Sequence, residues 1–313
     1  MYAIGIDVGG TSVKIGLFTD DGNMAEKWSI PTRVENNGKD ILPDIALSVL
    51  QKIKDRQIPI KELKGVGVGL PGPVDSHGVI RKAVNLHWPD TFNVEEKLSH
   101  YLGGITEVKA ANDANVAALG EAWVGSGKGC GSVVMVTLGT GIGGGIIING
   151  HILAGFTGSG GEIGHTFVQE GETEICNCGK TGCLEQYASA TGVVRLLRRE
   201  LEAYPDTQSS LRYGEPDAKA IWDAVKAGDS LAIKVAEKFG YYLGSSLANL
   251  ASIVNPELII IGGGMSLAGD VLIPYVRKNF EKYVFHASMD TRFALATLGN
   301  DGGMYGAARL VLA

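Results

Sequence analysis

The most specific chemical pattern in the chain is a set of one histidine and three cysteines. His165 is followed by Cys176, Cys178 and Cys183, with ten, one and four residues between successive members. Three sulfurs and one imidazole complete a tetrahedral Cys₃His set, which suits structural Zn²⁺, whereas catalytic zinc normally keeps one position for water. The alternative is a group of buried thiols, but the segments that carry them are polar and rich in turns. The pattern therefore predicts a structural zinc site.

Two glycine-rich segments have the composition of phosphate-binding turns. One is Asp7–Thr11, at the end of an apolar run, and the other is Leu138–Gly145. Such turns leave backbone N–H groups free to face an anion, and Thr11 adds a hydroxyl donor. The carboxylate of Asp7 is suited to hold Mg²⁺ through water. Each segment alone could equally be an ordinary tight turn, but two of them, with Gly262–Gly264 after a later apolar run, predict a nucleotide site.

A polar cluster, Asn112–Asn115, follows a short apolar run and opens a helical pattern. Asn and Asp commonly cap helices, which is the simplest explanation for one such residue. Capping explains three polar residues in four positions less well. A carboxylate at a helix start can accept the proton of a hydroxyl that attacks phosphorus. Asp113 is therefore the candidate general base.

Two glutamates flank the Cys/His set. Glu162 lies three residues before His165, and Glu185 lies two residues after Cys183. Most glutamates are solvated surface residues. Anchored beside metal ligands, however, these carboxylates would be rigid acceptors for substrate hydroxyls, whose donors are costly to leave unpaired. Their placement favours substrate binding.

Other glycine motifs in the chain do not fit their usual structural context. Gly67–Gly72 and Gly139–Gly144 have dinucleotide-binding spacing, but the first runs into prolines and the second leads into a strand rather than a helix. Gly179–Thr181 resembles the end of a P-loop, but Glu174 stands where that motif needs glycine. A dehydrogenase and a P-loop enzyme are both disfavoured.

Strand-like and helix-like patterns alternate along the chain, which predicts α/β architecture. The segments 6–18 and 137–150 share the order strand, Gly/Thr turn, strand, which indicates an internal duplication. The expected strands are 2–7, 13–18, 65–70, 106–110, 133–138, 146–148 and 258–261. The expected helices are 41–54, 112–123, 185–202, 218–226, 229–253, 268–283 and 301–312.

Composition narrows the class of protein. The chain has 313 residues, a net charge of −6 and 45% hydrophobic residues, as expected of a globular protein with a large core. No segment concentrates lysine and arginine, so neither a nucleic acid nor a membrane surface is an expected partner. The first residues form a strand pattern rather than a signal peptide, and no apolar run would span a bilayer. We therefore expect a cytoplasmic protein.

Several of these motifs together resemble the ROK family of sugar kinases and repressors. The resemblance rests on Asp7–Thr11, Leu138–Gly145, Gly161–His165 and Cys176–Glu185, and it extends from residue 4 to the final helix. It implies a two-lobed, actin-like α/β ATPase fold, as in hexokinase and actin, with duplicated lobes and a central cleft. The expected lobes are 1–116, completed by 299–313, and 117–298, which carries the zinc motif.

The resemblance also implies a role for individual residues. Asp113 matches the general base, and His165 matches a residue that contacts the sugar while it binds zinc. The implied sugar-binding residues are Asn85, Asn112, Glu162, His165 and Glu185. The implied nucleotide-binding residues are Asp7, Gly9, Gly10, Thr11, Lys14, Thr140, Gly141, Gly263 and Gly264. The implied cofactors are ATP, Mg²⁺ and structural Zn²⁺, and a homodimer or homotetramer is expected.

The substrate is the least determined feature. The cysteine motif and the segment Asn85–Trp88 resemble those of ROK glucokinases, which favours phosphorylation of glucose at its 6-hydroxyl. Kinases of N-acetylmannosamine or N-acetylglucosamine and fructokinases share most of these residues and remain alternatives. A sugar-sensing repressor is disfavoured, because the Asp7 motif leaves no room for a helix-turn-helix before it.

Overall fold

The computed structural model describes residues 1–312, apart from the side chains of Lys82 and Asp90. The strands, numbered β1 to β12 in chain order, are Tyr2–Val8, Ser12–Thr19, Met24–Pro31, Leu63–Leu70, Val79–Ala83, Trp88–Asn93, Glu107–Asn112, Val133–Leu138, Ile142–Ile148, His151–Ile152, Leu258–Gly262 and Arg292–Leu295. The α-helices, numbered α1 to α10, are Glu35–Gly38, Ile41–Asp55, Val94–Tyr101, Asp113–Trp123, Glu185–Ala188, Ala190–Ala203, Ala218–Lys226, Ser230–Val254, Leu272–Tyr283 and Gly302–Leu312. Strands and helices alternate, as the sequence predicted.

The two large sheets repeat one topology. The first has the order β3-β2-β1-β4-β7, and the second has the order β10-β9-β8-β11-β12. In the first sheet β1 pairs antiparallel with β2 and parallel with β4. In the second sheet β9 and β10 pair antiparallel, while β11 pairs parallel with both β8 and β12. The repeated order agrees with the predicted duplication, and each copy contains one of the two glycine-rich turns.

The first sheet is covered by helices that the sequence pattern specifies. In α2 the residues Ile41, Ile45 and Val49 recur at helical spacing and are fully or almost fully buried. Burial of each such side chain contributes about 1.5–3 kcal/mol. On the same sheet α10 lies directly over β1 and β4, since a Cβ at Gly67 would stand 1.7 Å from the carbonyl oxygen of Ala307. A side chain at position 67 would push this helix off the sheet.

The chain divides into two compact units. The first comprises residues 1–131, 145–161 and the segment from Thr297 to the C-terminal end, and the second comprises residues 132–144 and 162–296. The lobe boundaries expected from the sequence, at residues 116 and 299, stay a prediction. Among the residues that the structure describes, no helix is both long and apolar enough to cross a membrane.

Two expectations about local structure were wrong. The turn expected over Gly139–Gly145 ends at Gly141, because β9 already begins at Ile142 and includes the following glycines. The single helix expected over 185–202 is two helices, because Ser189 has extended backbone angles and caps α6 by accepting a hydrogen bond from the N–H of Gly192. The strands β3, β5, β6, β10 and β12 and the helices α1 and α3 were not anticipated, because several are short or lie at sheet edges.

Candidate active site

The first glycine-rich turn joins β1 to β2 within the first unit. Its backbone closes through a hydrogen bond from the Gly9 N–H to the carbonyl of Ser12, at 3.0 Å. Asp7, the penultimate residue of β1, lies opposite Lys14 in the antiparallel register, and the Lys14 ammonium lies 4.0 Å from the Asp7 carboxylate. Burial raises the pKa of Asp7, and the charge of Lys14 partly offsets that rise. The turn therefore carries a largely buried carboxylate with one cation beside it.

The Asp7 carboxylate also faces the start of α10. A Cβ at Gly303 would lie 2.9 Å from its carboxyl carbon, so only glycine leaves room for Asp7 there. Lys14 donates to the carbonyl of Asn300, at 3.3 Å, in the segment just before that helix. The residues predicted to contact Mg²⁺ and phosphate thus lie between β1, β2 and the N-terminus of α10, where the helix dipole favours negative charge.

Asp113 is the first residue of α4, directly after β7. Its Oδ1 accepts from the N–H of Ala114, at 2.7 Å, and the side chain is half-buried. Asn112 is the N-cap: its Oδ1 accepts from the N–H groups of Ala114 and Asn115, and its amide donates to the carbonyl of Gly72, at 3.2 Å. The capping explanation is therefore correct for Asn112, and it fixes the orientation of Asp113.

Asn85 lies in the short 3₁₀ helix Val84–Leu86 and is exposed. Its carbonyl oxygen is near the first turn, 3.4 Å from where a Cβ of Gly10 would stand. The structure thus brings three predicted elements of the first unit into one region around the turn: the acidic residue at the end of β1, its lysine partner and the Asn85 backbone.

The four predicted metal ligands come together in the second unit. The ligand atoms of His165, Cys176, Cys178 and Cys183 all lie within 4.8 Å of one another. The Sγ atoms of Cys178 and Cys183 are 3.6 Å apart, and the Cys176 Sγ is 3.7 Å from the Nδ1 of His165. Zn–S bonds of about 2.3 Å in a tetrahedron place sulfurs at similar separations. The donor set and its spacing fit a four-coordinate zinc ion.

The backbone that carries these ligands, residues 165–183, forms a small loop closed by hydrogen bonds, which we call the knuckle. The Cys176 N–H donates to the carbonyl of Lys180, at 2.7 Å, and Phe167 bridges to Cys183 in antiparallel fashion. Burial, first, and the adjoining thiols raise the pKa of Cys176 to about 12. Metal binding requires the thiolate, so a cation at this site would displace the thiol proton.

One turn of 3₁₀ helix, Ile163–His165, begins directly after Glu162 and ends at His165. The His165 N–H donates to the carbonyl of Glu162, at 3.2 Å. The Glu162 side chain is exposed, and His165 turns Nδ1 towards the cysteines. Glu162 is thereby joined through its backbone to the predicted metal ligand His165, and the anchoring of its carboxylate stays a prediction. The second ring nitrogen of His165, Nε2, is the one suited to a substrate contact.

Glu185 occupies a different environment from the one expected of a sugar ligand alone. Its Oε2 accepts from the backbone N–H of Ile142, at 3.0 Å, and its Oε1 is 3.5 Å from the Sγ of Cys176. A Cβ at Gly141 would lie 2.1 Å from the same Oε2. Glu185 thus touches both the second glycine-rich turn and the cysteine cluster.

A cavity of about 450 Å³ adjoins the second turn. Gly139 and Thr140 form one side, Gly264 another, and Trp222 and Met265 contribute apolar surface. Gly263, the residue after β11, has a φ of +80°, and its Cα packs directly against the backbone of Leu138. An apolar cavity beside a phosphate-type turn has the size and chemistry to receive a nucleoside.

Sequence reasoning missed two long-range contacts, one within each unit. Glu121 in α4 is 1% exposed, and its carboxylate accepts from the backbone N–H groups of Thr297, Leu298 and Ser126. Thr191 at the start of α6 donates to the carbonyl of Thr140, at 2.8 Å. No local spacing marks either residue, because each contact joins distant parts of the chain.

Comparison with known proteins assigns the family. The family model described as "ROK family" matches residues 3–313. The chain is 43% identical, over 99% of its length and 94% of the relative's, to a glucokinase of Halalkalibacterium halodurans. It is 39% identical to a glucokinase of Thermotoga maritima, over 98% of this chain and 96% of that one.

A solved structure bears out the fold. A ROK family glucokinase from Streptomyces griseus, in complex with glucose and AMPPNP, matches with a TM-score of 0.75 and 31% identity, covering 99% of both chains. The α/β fold expected from the resemblance, that of actin-like ATPases with a repeated sheet, is thus confirmed. With the family model spanning nearly the whole sequence, this chain belongs to the ROK family.

Proposed function

We propose that this chain is an ATP-dependent glucokinase, which transfers the γ-phosphoryl group of ATP to the 6-hydroxyl of glucose. The observation that carries the proposal is the 43% identity to a glucokinase over 99% of the chain. The side chains that such a reaction needs are present: a capped, oriented aspartate, two phosphate-type turns and a rigid group of hydrogen-bonding residues beside a metal site. Glucose is the proposed substrate, and cytoplasmic ATP is the proposed donor.

Asp113 is the proposed general base. It removes the proton from the attacking hydroxyl while the new O–P bond forms and the bond between the γ-phosphorus and the ADP oxygen breaks. Its position at the start of α4 suits this role, because the hydrogen bond from Ala114 fixes one carboxylate oxygen and the Asn112 cap fixes the helix start. Because the base is already held in place, little of its conformational entropy is lost when the transition state forms.

The sugar-binding residues are proposed to be Asn85, Asn112, Glu162, His165 and Glu185. His165 belongs to the Cys/His set, and its backbone N–H donates to the carbonyl of Glu162, so the backbone of both residues is held before the sugar arrives. Bound Zn²⁺ would supply this rigidity and no step of the reaction. Rigid acceptors discriminate well between hydroxyl patterns, because a mismatched sugar leaves buried polar groups unpaired.

The nucleotide is proposed to bind the two glycine-rich turns. Thr140 and Gly264 line the apolar cavity that suits the nucleoside, and Gly141 and Gly263 are their neighbours in the chain. Gly9, Gly10 and Thr11 provide the other turn. Lys14 balances the charge of Asp7 and contacts the segment before α10. Mg²⁺, held through Asp7, would neutralise the developing charge on the phosphates. We propose a homodimer or homotetramer as the assembly.

The first experiment measures ADP release with Mg-ATP and glucose, mannose, fructose, N-acetylglucosamine or N-acetylmannosamine. The proposal expects the highest kcat/KM for glucose. A preference for fructose or an N-acetylated sugar would keep the mechanism and replace the substrate. Sugar binding without any ADP release would instead support a sensor that does not catalyse.

Replacement of the base gives the test of mechanism. Asp113→Asn should lower kcat by about 10²–10⁴-fold while the Kd for glucose stays near that of the wild type. Asp55→Asn, which removes the same charge from the exposed end of α2, is the matched control and should leave kcat unchanged. Substantial turnover by the Asp113 variant would remove this residue from the role of base.

A further inference from the structure

The second glycine-rich turn is supported by a segment that lies more than forty residues later. This segment, residues 185–191, contains α5, the cap Ser189 and the first two residues of α6. We call it the support segment. It begins two residues after the last cysteine of the metal-ligand set, so it is anchored at one end by the knuckle.

The support segment binds the carbonyl side of the turn. The backbone N–H of Ala190 donates to the carbonyl of Gly139, and the hydroxyl of Thr191 donates to the carbonyl of Thr140, both at 2.8 Å. Ser189 lies beside the Thr191 hydroxyl, at 2.9 Å between the two oxygens. Two successive carbonyls of the turn therefore point towards α6.

The same segment also binds the far end of the turn. The Oε2 of Glu185 accepts from the Ile142 N–H, at 3.0 Å, so this donor is occupied by the protein. The N–H of Gly139 is occupied within the turn itself, by the carbonyl of Gly141 at 3.0 Å. These contacts leave the two central N–H groups, those of Thr140 and Gly141, as the donors to consider.

Peptide geometry fixes the direction of those donors. In a planar trans peptide the carbonyl of one residue and the N–H of the next point in opposite directions. Because the carbonyls of Gly139 and Thr140 point towards α6, the N–H groups of Thr140 and Gly141 must point away from it. Two adjacent N–H groups aimed the same way are the element that binds a phosphate oxygen.

We propose that Glu185 and Thr191 are positioning residues for the nucleotide, which hold the N–H groups of Thr140 and Gly141 in their phosphate-binding orientation. This inference rests on the proposed function, since it requires a nucleotide at this turn. It gives Glu185 a part in nucleotide binding that does not depend on sugar. It also connects the turn to the metal site through the Cys176 contact of the same carboxylate.

The test measures the Kd of Mg-AMPPNP in the absence of sugar, by calorimetry on the full-length protein. Thr191→Val removes the hydroxyl and keeps the side-chain shape, and it should raise this Kd by about tenfold, the value of one hydrogen bond. Thr191→Ser keeps the hydroxyl and should restore the Kd to within about twofold of the wild type. The Kd for glucose should be the same in all three proteins.

Glu185 variants separate positioning from sugar binding. Glu185→Gln keeps an acceptor for the Ile142 N–H and should raise the sugar-free Kd of Mg-AMPPNP less than Glu185→Ala does. If Glu185 served sugar alone, neither substitution would change that Kd. The zinc content and the thermal unfolding midpoint of each Glu185 variant show whether the knuckle stays folded. If the Glu185 variants unfold, Thr191→Val still tests the inference.

Two failures can be told apart. If the wild-type protein does not bind Mg-AMPPNP, the proposed function is wrong and this inference falls with it. If the wild type binds and Thr191→Val binds equally well, the inference alone is overturned, because the turn then keeps its orientation without the support segment.

Discussion

The two glycine-rich turns are copies of one structural element with different surroundings. Each joins the end of a buried strand to the next strand and closes through a short hydrogen bond, Gly9 N–H to Ser12 in the first and Gly139 N–H to Gly141 in the second. The residue two positions before the first glycine of the turn is Asp7 in the first copy and Thr137 in the second. The first copy carries a charged group, and the second does not.

The source of rigidity also differs. The first turn lies against the N-terminus of α10, where the Asp7 carboxylate stands beside Gly303 and Lys14 donates to the carbonyl of Asn300. The second turn takes its rigidity from Glu185 and Thr191, which lie far away in the sequence. The comparison teaches that the two copies share a backbone turn but differ in its support. The first has a buried carboxylate beside a lysine, and the second has hydrogen bonds from a distant segment, which we propose orient its N–H donors.

Among the changes that test this comparison of the two turns, the largest effect is expected from replacing the residue that distinguishes them. Asp7→Asn should lower kcat/KM for glucose by about 10²–10³-fold, the size typical of losing one electrostatic contact to a transition state. Thr137→Val, at the equivalent place in the second copy, should change it by less than about tenfold. Steady-state kinetics at varied Mg²⁺ concentration provide the measurement. Equal losses in both variants would mean that the turns are chemically equivalent.

Metal removal should affect the second turn and spare the first. Chelation of zinc should raise the Kd for glucose by about tenfold or more, because loss of a structural metal loosens the residues that its ligands orient. Hydrogen exchange should speed up over residues 162–185, and over 139–142 through the Glu185 contact, while residues 7–12 keep their protection. A purified protein that contains no zinc yet binds glucose normally would contradict this expectation.

The smallest effect concerns stability and pH. Burial raises the pKa of Asp7 above its ordinary value, with Lys14 partly opposing. The folded protein therefore binds this proton more tightly than the unfolded chain, so ionisation of Asp7 costs stability. That cost is absent below the unfolded pKa of about 4, grows as pH rises through the folded pKa, and then stays constant.

Asp7→Asn removes this cost. Its free energy of unfolding, relative to the wild type, should increase as pH rises above about 4, as measured by urea unfolding without ligands. Thr137→Val should show no such trend, since threonine does not titrate. A difference between Asp7→Asn and wild type that is independent of pH would indicate that Asp7 is not desolvated in the folded protein.

Much of the fold followed from local patterns. The apolar spacing of α2 and the strand patterns around Asp7 and Thr137 predicted elements that the structure contains nearly residue for residue. Prediction was weaker where a pattern is compatible with two structures. The glycines after Gly141 suggested a long turn, but pairing within the second sheet extends β9 through them.

The sequence by itself determined the types of chemistry available. The Cys₃His set, the two glycine-rich turns and the aspartate at a helix start are each defined by residue type and local spacing, and local spacing survives folding. Only the tertiary structure decided which groups these residues contact. Glu185 reaches Ile142, Thr191 reaches Thr140, and Glu121 reaches the segment 297–298. Hydrogen bonds between distant segments depend on how helices and sheets pack. A buried glutamate that accepts hydrogen bonds from backbone N–H groups and a solvated surface glutamate look the same in the local sequence.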